Sequence, residues 1–468
     1  MAKSDLGITV SKQEDIAQWY EQICLKSQIA DFGDVRGTIV IRARGYYMWE
    51  QIQAFVNEQI VRALNVDNCY FPLFIPERFF VKEAEHAKGF APELAWVTTS
   101  QGEGGEKAII RPTSETIIVD NMRKWLRNYR QLPIKVNQWA NVVRWEVKQT
   151  KLFLRGREFL WQEGHCIYQT QEECEADVKQ VLSLYEKLCS DVLALPVFAG
   201  EKSPMERFPG AKKTFGIESI MPDGKSLQMG TSHYLGQGFM EAFDVKFMGS
   251  DGQEHYPHYN SWGVSTRLLG AVIMMHSDDR GLVLPPKLAK QKVVVIPVKE
   301  DDVEYANTVA ASCGAMLDDR EGYSLGFKLS DTELQGIPLT IIIGARERET
   351  KMATVKARDT GEKVQVPVAD VPSFVHEQLE QMHTRLFEKA KEWMDSCIVD
   401  VQTQDEFEVQ LQAGKTVRAY FSGDETAEEQ LKERLGITSR LLQEAKTPGV
   451  CILTGKKTQT IATFGKSY

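Results

Sequence analysis

Two arginines and a glutamate flank a short turn in this sequence, in a pattern suited to holding a phosphate or a carboxylate. They lie in Val142-Val143-Arg144-Trp145-Glu146 and in Phe153-Leu154-Arg155-Gly156-Arg157-Glu158-Phe159-Leu160-Trp161-Gln162-Glu163-Gly164-His165. Both arms alternate as strands do, with successive side chains on opposite faces, and the polar stretch between them predicts a hairpin. Arg144 and Glu146 then share a face of the first arm. Arg155, Arg157, Phe159, Trp161 and Glu163 share a face of the second. Charges and aromatic rings mixed on one face suit a nucleotide, since guanidinium groups grip phosphates through several donors and Phe159 can stack on a base. The alternative is an exposed hairpin with cross-strand salt bridges.

Three further stretches could carry chemistry. Arg111-Pro112-Thr113-Ser114-Glu115 opens a helix running to about Asn128. Thr113 or Ser114 suits the N-cap and Glu115 the first turn; alternatively, Thr113 and Glu115 accept from a substrate ammonium. Gln228-Met229-Gly230-Thr231-Ser232-His233 follows a turn at Pro222-Asp223-Gly224. Gly230 would let a ligand approach the backbone, while His233 reads equally well as a hydrogen-bonded core or rim histidine. Asn260-Ser261-Trp262-Gly263-Val264-Ser265-Thr266-Arg267 leads from a strand into an apolar helix. An arginine at the start of a buried helix needs an anionic or aromatic partner, which could also be a neighbouring carboxylate.

The elements that must position these residues fall into three units. Leu284-Pro285-Pro286-Lys287 marks the clearest boundary, because two prolines stop the preceding element. A softer boundary lies near Asp395, giving domains over 1–286, 287–394 and 395–468. In the first, Met48 to Leu64 reads as an amphipathic helix with Ile52, Phe55, Val56, Ile60 and Leu64 on one side. Cys69 to Pro76 reads as an edge strand that ends a sheet or meets another subunit. A helix over about Gln171 to Leu193 and hairpin-connected strands predict an α+β unit with an antiparallel sheet. The second unit alternates a buried strand at Lys292–Val298, two helices, strands near Leu339–Ile343, Ala353–Ala357 and Lys363–Val366, and a long helix, which predicts a small α/β domain.

Composition narrows the class without deciding it. The chain has 468 residues, 43% hydrophobic and 26% charged, with a formal charge of −9. That is the make-up of an ordinary globular protein, and local basic patches can bind nucleic acid despite the net charge. No apolar run approaches the ~20 residues of a membrane helix, and the N-terminus lacks a secretion or transit signal. Eight cysteines without a C-x-x-C pair predict a reducing cytoplasm. His255-x-x-His258 has a metal-like spacing but sits in a loop-like run, so no metal is expected there.

Taken in order, these stretches resemble the signature motifs of class II aminoacyl-tRNA synthetases. Arg-x-Glu, a loop, Arg-x-x-x-Phe and a glycine-containing strand ending in arginine resemble the second and third motifs. The helix before Pro72 resembles the first, dimer-forming one. Arg-Pro-Thr-Ser-Glu, Arg-Glu-Phe-Leu-Trp-Gln-Glu-Gly-His, Gly-Thr-Ser-His and Asn-Ser-Trp-Gly narrow the likeness to prolyl-tRNA synthetases of the archaeal and eukaryotic-like type. It extends from about Lys12 to Tyr468.

The resemblance implies an ATP-dependent ligase that makes prolyl-adenylate from L-proline and passes the prolyl group to tRNA(Pro). By position, Arg144 would hold the proline carboxylate and the α-phosphate, and Arg144 and Arg267 would be catalytic. Glu146 would receive the adenine edge or the acceptor end. Arg155 and Arg267 would grip phosphate or sandwich adenine against Phe159. Gly156, Gln228, Met229, Gly230, Thr231 and Ser265 would line the nucleotide pocket. Thr113, Glu115 and His233 would read the imino acid, with Phe90 and Trp161 as walls. Mg2+ accompanies ATP in this family, and the enzymes are homodimers. The middle unit resembles an anticodon-binding domain, with a basic cluster of Lys328, Arg346, Arg348, Lys351, Lys356 and Arg358.

The chain also departs from the family. The interval from His165 to Asn260 is too short for the editing insertion of bacterial-type relatives, so no editing in cis is expected. Relatives often carry four zinc-binding cysteines in the last domain. Here Cys451-Ile452-Leu453 and Ser422 stand at such positions, and one thiol cannot hold structural zinc. The terminal Tyr468, placed as in relatives, is expected to support the catalytic unit. Competing readings are a class II synthetase for threonine, serine or glycine, a synthetase-like RNA-binding protein, and a free adenylate-forming enzyme. Retention of all three arginines opposes the binding-only reading.

Overall fold

The computed structural model describes residues 7–79, 94–97 and 107–468. Phe90 lies outside them. The first helix, α1 (Ile16–Lys26), starts where the Asp15 carboxylate accepts from the N–H groups of Ala17 and Gln18, and it buries Trp19, Tyr20, Ile23 and Cys24. Next comes α2 (Ala43–Val56), which continues as a π-helical turn at Asn57–Arg62. It begins ahead of Met48 and buries Met48, Trp49, Ile52 and Val56.

The run from Cys69 to Pro76 is not one strand. Asp67–Asn68 pairs in parallel with the strand Ile134–Val143, and Phe74–Pro76 pairs with Ala108–Ile110 in a separate ribbon. Pro72, which has no N–H to donate, lies in the unpaired stretch between the two strands, and Pro76 ends the second of them opposite Ala108. Tyr70 and Phe74 are left 70% and 54% exposed.

The core of the molecule is an eleven-stranded sheet. Its centre is antiparallel: β1 (Ile134–Val143), β2 (Glu158–Tyr168), β3 (Phe198–Glu201), β4 (Lys213–Ile220), β5 (Ser226–Gly236) and β6 (His258–Ser265), in the order β3-β4-β5-β6-β2-β1. One face is covered by α4 (Gln171–Asp191), following α3 (Glu115–Trp125) in the chain and started by a capping box between Thr170 and Glu173. The interval from β2 to β6 thus supplies this helix and three sheet strands. Next, α5 (Arg267–His276) leaves β6 and buries most of its side chains among those of α1 and the sheet.

The middle unit has five strands, joined by two parallel and two antiparallel pairings, around Val293–Pro297 and Leu339–Ile343. Its own core contains Val295, Val309, Ile341 and Val355. A 27-residue helix, Val371–Cys397, follows. The C-terminal strands have a separate core around Phe407, Phe421 and Phe464, yet they extend the central sheet through the pairing of Leu442 with Glu201 on β3. No helix among the described residues is long and apolar enough to cross a membrane. The fold is an α+β unit with an antiparallel central sheet, followed by an α/β unit and a small α+β unit.

Candidate active site

The hairpin of β1 and β2 keeps register from Ile134↔Ile167 to Val143↔Glu158. Arg144 follows immediately, its N–H donating to Arg157 O at 2.7 Å. Strand alternation therefore begins at Glu158. Phe159, Trp161, Glu163 and His165 share the cavity face, and Arg155 and Gly156 join them from the turn. Arg157 does not. Its N–H donates to Gly37 O at 2.8 Å, and its guanidinium lies 4.5 Å from the Trp145 ring. The expectation that Arg155 and Arg157 share a strand face fails because neither lies in the paired strand.

A cavity of about 540 Å³ opens over the sheet. Thr113, Glu115, Arg144, Glu146, Arg155 and Gly156 line it, as do Phe159, Trp161 and His233. The β5 stretch Gln228, Met229, Gly230 and Thr231, with Ser265 and Arg267, completes the set. All the sequence-derived candidates for nucleotide and amino acid apart from Phe90 thus border one space.

Arg144 donates from Nε to Pro112 O at 3.2 Å, and its guanidinium lies 5.6 Å from the Phe159 ring and 5.9 Å from the Trp161 ring. Burial lowers its pKa, opposed by Glu146, Glu115 and Glu163. Arg267 is pushed down to about 10, first by burial and then by repulsion from Arg144 and Arg155. Three cations held where they repel one another suit a polyanion. Glu146 Oε2 and Trp161 Nε1 are buried without a hydrogen-bond partner among the described residues. Such groups are costly unless something satisfies them.

Beside the arginines, Ser114 occupies the N-cap of α3 but does not cap it. Its hydroxyl donates to Glu163 Oε1 at 2.6 Å, while Thr113 Oγ1 donates to Glu115 Oε2. Glu163 also accepts from Gln138 Nε2 at 2.7 Å and pairs with His165 Nε2 at 2.8 Å. Burial alone would raise the Glu163 pKa, but these partners hold it below the usual range. His233 lies 3.0 Å from Thr214 Oγ1 through Nδ1, and burial, with repulsion from His165 and Lys202, lowers its pKa to about 3. It is neutral at physiological pH. Gly230 serves packing: a Cβ there would meet Val264 Cγ1 at 3.0 Å, beside the bulge after Gln228.

Sequence reasoning missed the stretch 203–209, where Glu206, Arg207, Phe208 and Pro209 reach the cavity. It is a loop with no period to read. The pairing of Glu163 with His165 was legible as two same-face positions. Tyr468 borders the cavity, its hydroxyl donating to Asp223 Oδ2 at 2.8 Å.

The middle unit's basic cluster divides. Lys328 is buried, donating to Asp318 O at 2.9 Å; Arg358 is buried in a two-pronged pair with Asp278; Lys356 pairs with Glu333. Arg348 donates to Asp301 O at 2.6 Å. Arg346 and Lys351 remain on the exposed surface. Cys451 accepts from Ser422 Oγ at 3.4 Å.

Comparison with known proteins fits this geometry. The family description "tRNA synthetase class II core domain (G, H, P, S and T)" matches residues 97–276, "Anticodon binding domain" matches 292–378, and "Prolyl-tRNA synthetase, C-terminal" matches 404–468. The proline–tRNA ligase of Chlorobium limicola is 44% identical over 98% of this chain and 99% of its own length. The chain belongs to the prolyl-tRNA synthetases. It is a class II enzyme, a proline–tRNA ligase. Proline–tRNA ligase 2 of Clostridioides difficile is 40% identical, covering 97% of each chain. The prolyl-tRNA synthetase of Cryptosporidium parvum, solved with L-proline and AMP and also with halofuginone and AMPPNP, superposes with a TM-score of 0.93 at 36% identity, covering 100% of this chain and 98% of that one.

Proposed function

We propose that the three-arginine cavity binds ATP and L-proline side by side and forms prolyl-adenylate there. A proline carboxylate oxygen attacks the α-phosphorus, the bond to the β-phosphate oxygen breaks, and pyrophosphate leaves. The terminal ribose hydroxyl of tRNA(Pro) then attacks the prolyl carbonyl, and AMP departs. Joining two anions needs alignment and charge neutralisation more than a covalent catalyst. The convergence of Arg144, Arg155 and Arg267 on one space carries this reading.

In this reading Arg144 bridges the proline carboxylate and the α-phosphate, so the attacking and attacked groups are aligned by one guanidinium. Arg155 and Arg267 hold phosphate or adenine, with Phe159 stacking on the other face. Glu146 offers its free oxygen to the adenine edge or the acceptor end. Gly156, Gln228, Met229, Gly230, Thr231 and Ser265 form the walls around the nucleotide. Thr113 and Glu115 take the imino N–H groups. His233, neutral, can accept or donate without adding charge, and Trp161 packs on the ring.

Mg2+ binds through one or two carboxylates plus substrate phosphates and retains several waters. The described residues contain no group of three or more His, Cys, Asp and Glu able to cage a metal. The ion would be carried by the substrate phosphates and waters, since the free Glu146 oxygen is taken in this reading by the adenine edge or the acceptor end. When bound, the ion would shield the β- and γ-phosphates and the departing pyrophosphate.

The same reading assigns anticodon contact to the middle unit, with Arg346 as a phosphate or base contact. The buried Lys328 and the paired Lys356 would support that surface from within. The exposed Tyr70 and Phe74 suit contact with a second copy in a homodimer. Eight free cysteines fit the cytoplasm. Amino-acid-dependent exchange of pyrophosphate into ATP tests the activity. Proline alone among the twenty amino acids should support strong exchange, and Arg144→Ala should abolish it; equal exchange with threonine or serine would refute the assignment.

A further inference from the structure

A cluster of four charges joins the C-terminal strands to the edge of the cavity. Glu218 on β4 is fully buried. It accepts from Lys202 Nζ and, through both oxygens, from Arg440 Nε at 3.0 Å and Nη2 at 2.8 Å. Lys202 and Arg440 are themselves 2% and 5% exposed. Two buried cations against one carboxylate leave a positive charge unbalanced, and burial makes such an imbalance costly. Glu206 supplies the second carboxylate, 3.5 Å from Arg440 Nη1.

Glu206 belongs to the 203–209 loop, whose next three residues line the cavity. The Phe208 N–H donates to Thr214 Oγ1 at 3.0 Å, and its ring centroid lies 4.7 Å from that of His233. Thr214 Oγ1 is also the partner of His233 Nδ1. Turn bonds also hold this loop, with Ser203 Oγ accepting from Glu206 N at 3.3 Å and Ala211 N donating to Phe208 O at 3.0 Å. Phe208 and Ala211 pack on the apolar cluster around Phe239, and 204–206 lie against the helix Glu425–Leu435. A line of contacts therefore runs from Arg440 through Glu206 to Phe208 and His233.

We propose that Arg440 is a positioning residue for the amino-acid pocket, drawing Glu206 inward so that the 203–209 loop seats Phe208 against His233. Arg440 does not reach the reacting atoms. It stands 222 residues from Glu218 in the chain, so the last unit of the protein takes part in shaping the proline site. The inference rests on His233 facing the imino acid.

The test uses full-length protein and steady-state pyrophosphate exchange, with KM measured separately for proline and for ATP. Arg440→Gln leaves Lys202 and Glu218 as a neutral buried pair, whereas Glu206→Gln breaks the link to the loop and removes one carboxylate from the cluster. Each should raise the proline KM about tenfold, the scale of a displaced contact, and leave the ATP KM within about twofold. The double variant should be no worse than Arg440→Gln, because both break one line of contacts. Arg440→Lys, which keeps the charge, should recover part of the loss. An unchanged proline KM in Glu206→Gln overturns the proposal, as does a parallel rise of both KM values in Arg440→Gln. If Arg440→Gln does not fold, Glu206→Gln decides alone, since Glu206 is partly exposed and outside the buried pair. Failure of the unmodified protein to exchange with proline would instead refute the assigned activity.

Discussion

Cations meet opposite fates in the cavity and in the middle unit. In the cavity, Arg144, Arg155 and Arg267 converge, and repulsion among them helps lower the Arg267 pKa. In the middle unit, Lys328 is spent on a backbone carbonyl, Lys356 on Glu333 and Arg358 on Asp278. Positive residues are abundant in both places. A binding site differs from a structural network in leaving its charges without direct ion pairs among the described residues, so that a ligand completes them.

The sharpest way to break that contrast is to remove one charge from each side. Arg144→Ala or Arg267→Ala should lower proline-dependent exchange by about 10²–10³-fold, the cost of losing a preorganised donor to a developing anion. A loss below tenfold would mean the cavity arginines are structural as well. Arg358→Ala should leave exchange nearly intact but lower unfolding free energy by about 2 kcal/mol, measured in urea, because it parts a buried cation from a half-exposed carboxylate.

Acid should weaken the unit that holds the cavity. His233 and His276 are pushed down to about 3 and about 4, both chiefly by burial. Each takes up its proton in the unfolded chain near pH 6.5 and in the folded protein only well below that. Stability is therefore complete above pH 6.5 and falls as the pH drops toward the folded values. The loss should be roughly 1.5 kcal/mol per histidine between pH 6.5 and 5. His276→Gln should flatten the slope of chemical-denaturation midpoints over this range; an unaltered slope would show that burial does not suppress its protonation.

The smallest effect tests the surface that remains. Arg346→Ala should raise the KM for tRNA a few-fold and reduce the salt dependence of charging by about one phosphate's worth, without changing exchange. Lys328→Met should do neither. Reversal of these two outcomes would restore the full basic cluster as an RNA-binding face.

Which residues line the cavity was largely readable in the sequence. The alternation of Phe159, Trp161 and Glu163 and the order of the motifs grouped the candidate residues, because strand geometry and motif order are local properties. Arg157 was misread because alternation presupposes a paired strand, and pairing starts at Glu158. Either Thr113 or Ser114 reads as the N-cap; Ser114 holds that position, yet its hydroxyl serves Glu163, a residue 49 positions away. The apolar run from Cys69 to Pro76 carried strand-like residues, but only Phe74–Pro76 ladders, in a ribbon apart from the central sheet that Asp67–Asn68 joins.

Residue types and their local periods were enough to specify the chemistry on offer: guanidinium groups for anions, rings for stacking and a hydroxyl–carboxylate pair for an ammonium. They also specified the order of helices and strands. Which charges stay available was decided only on packing, since desolvation and pairing depend on neighbours distant in the chain. Hence Arg440 comes to neutralise Glu218 and Arg358 to hold Asp278, while Arg144, Arg155 and Arg267 are brought to one cavity.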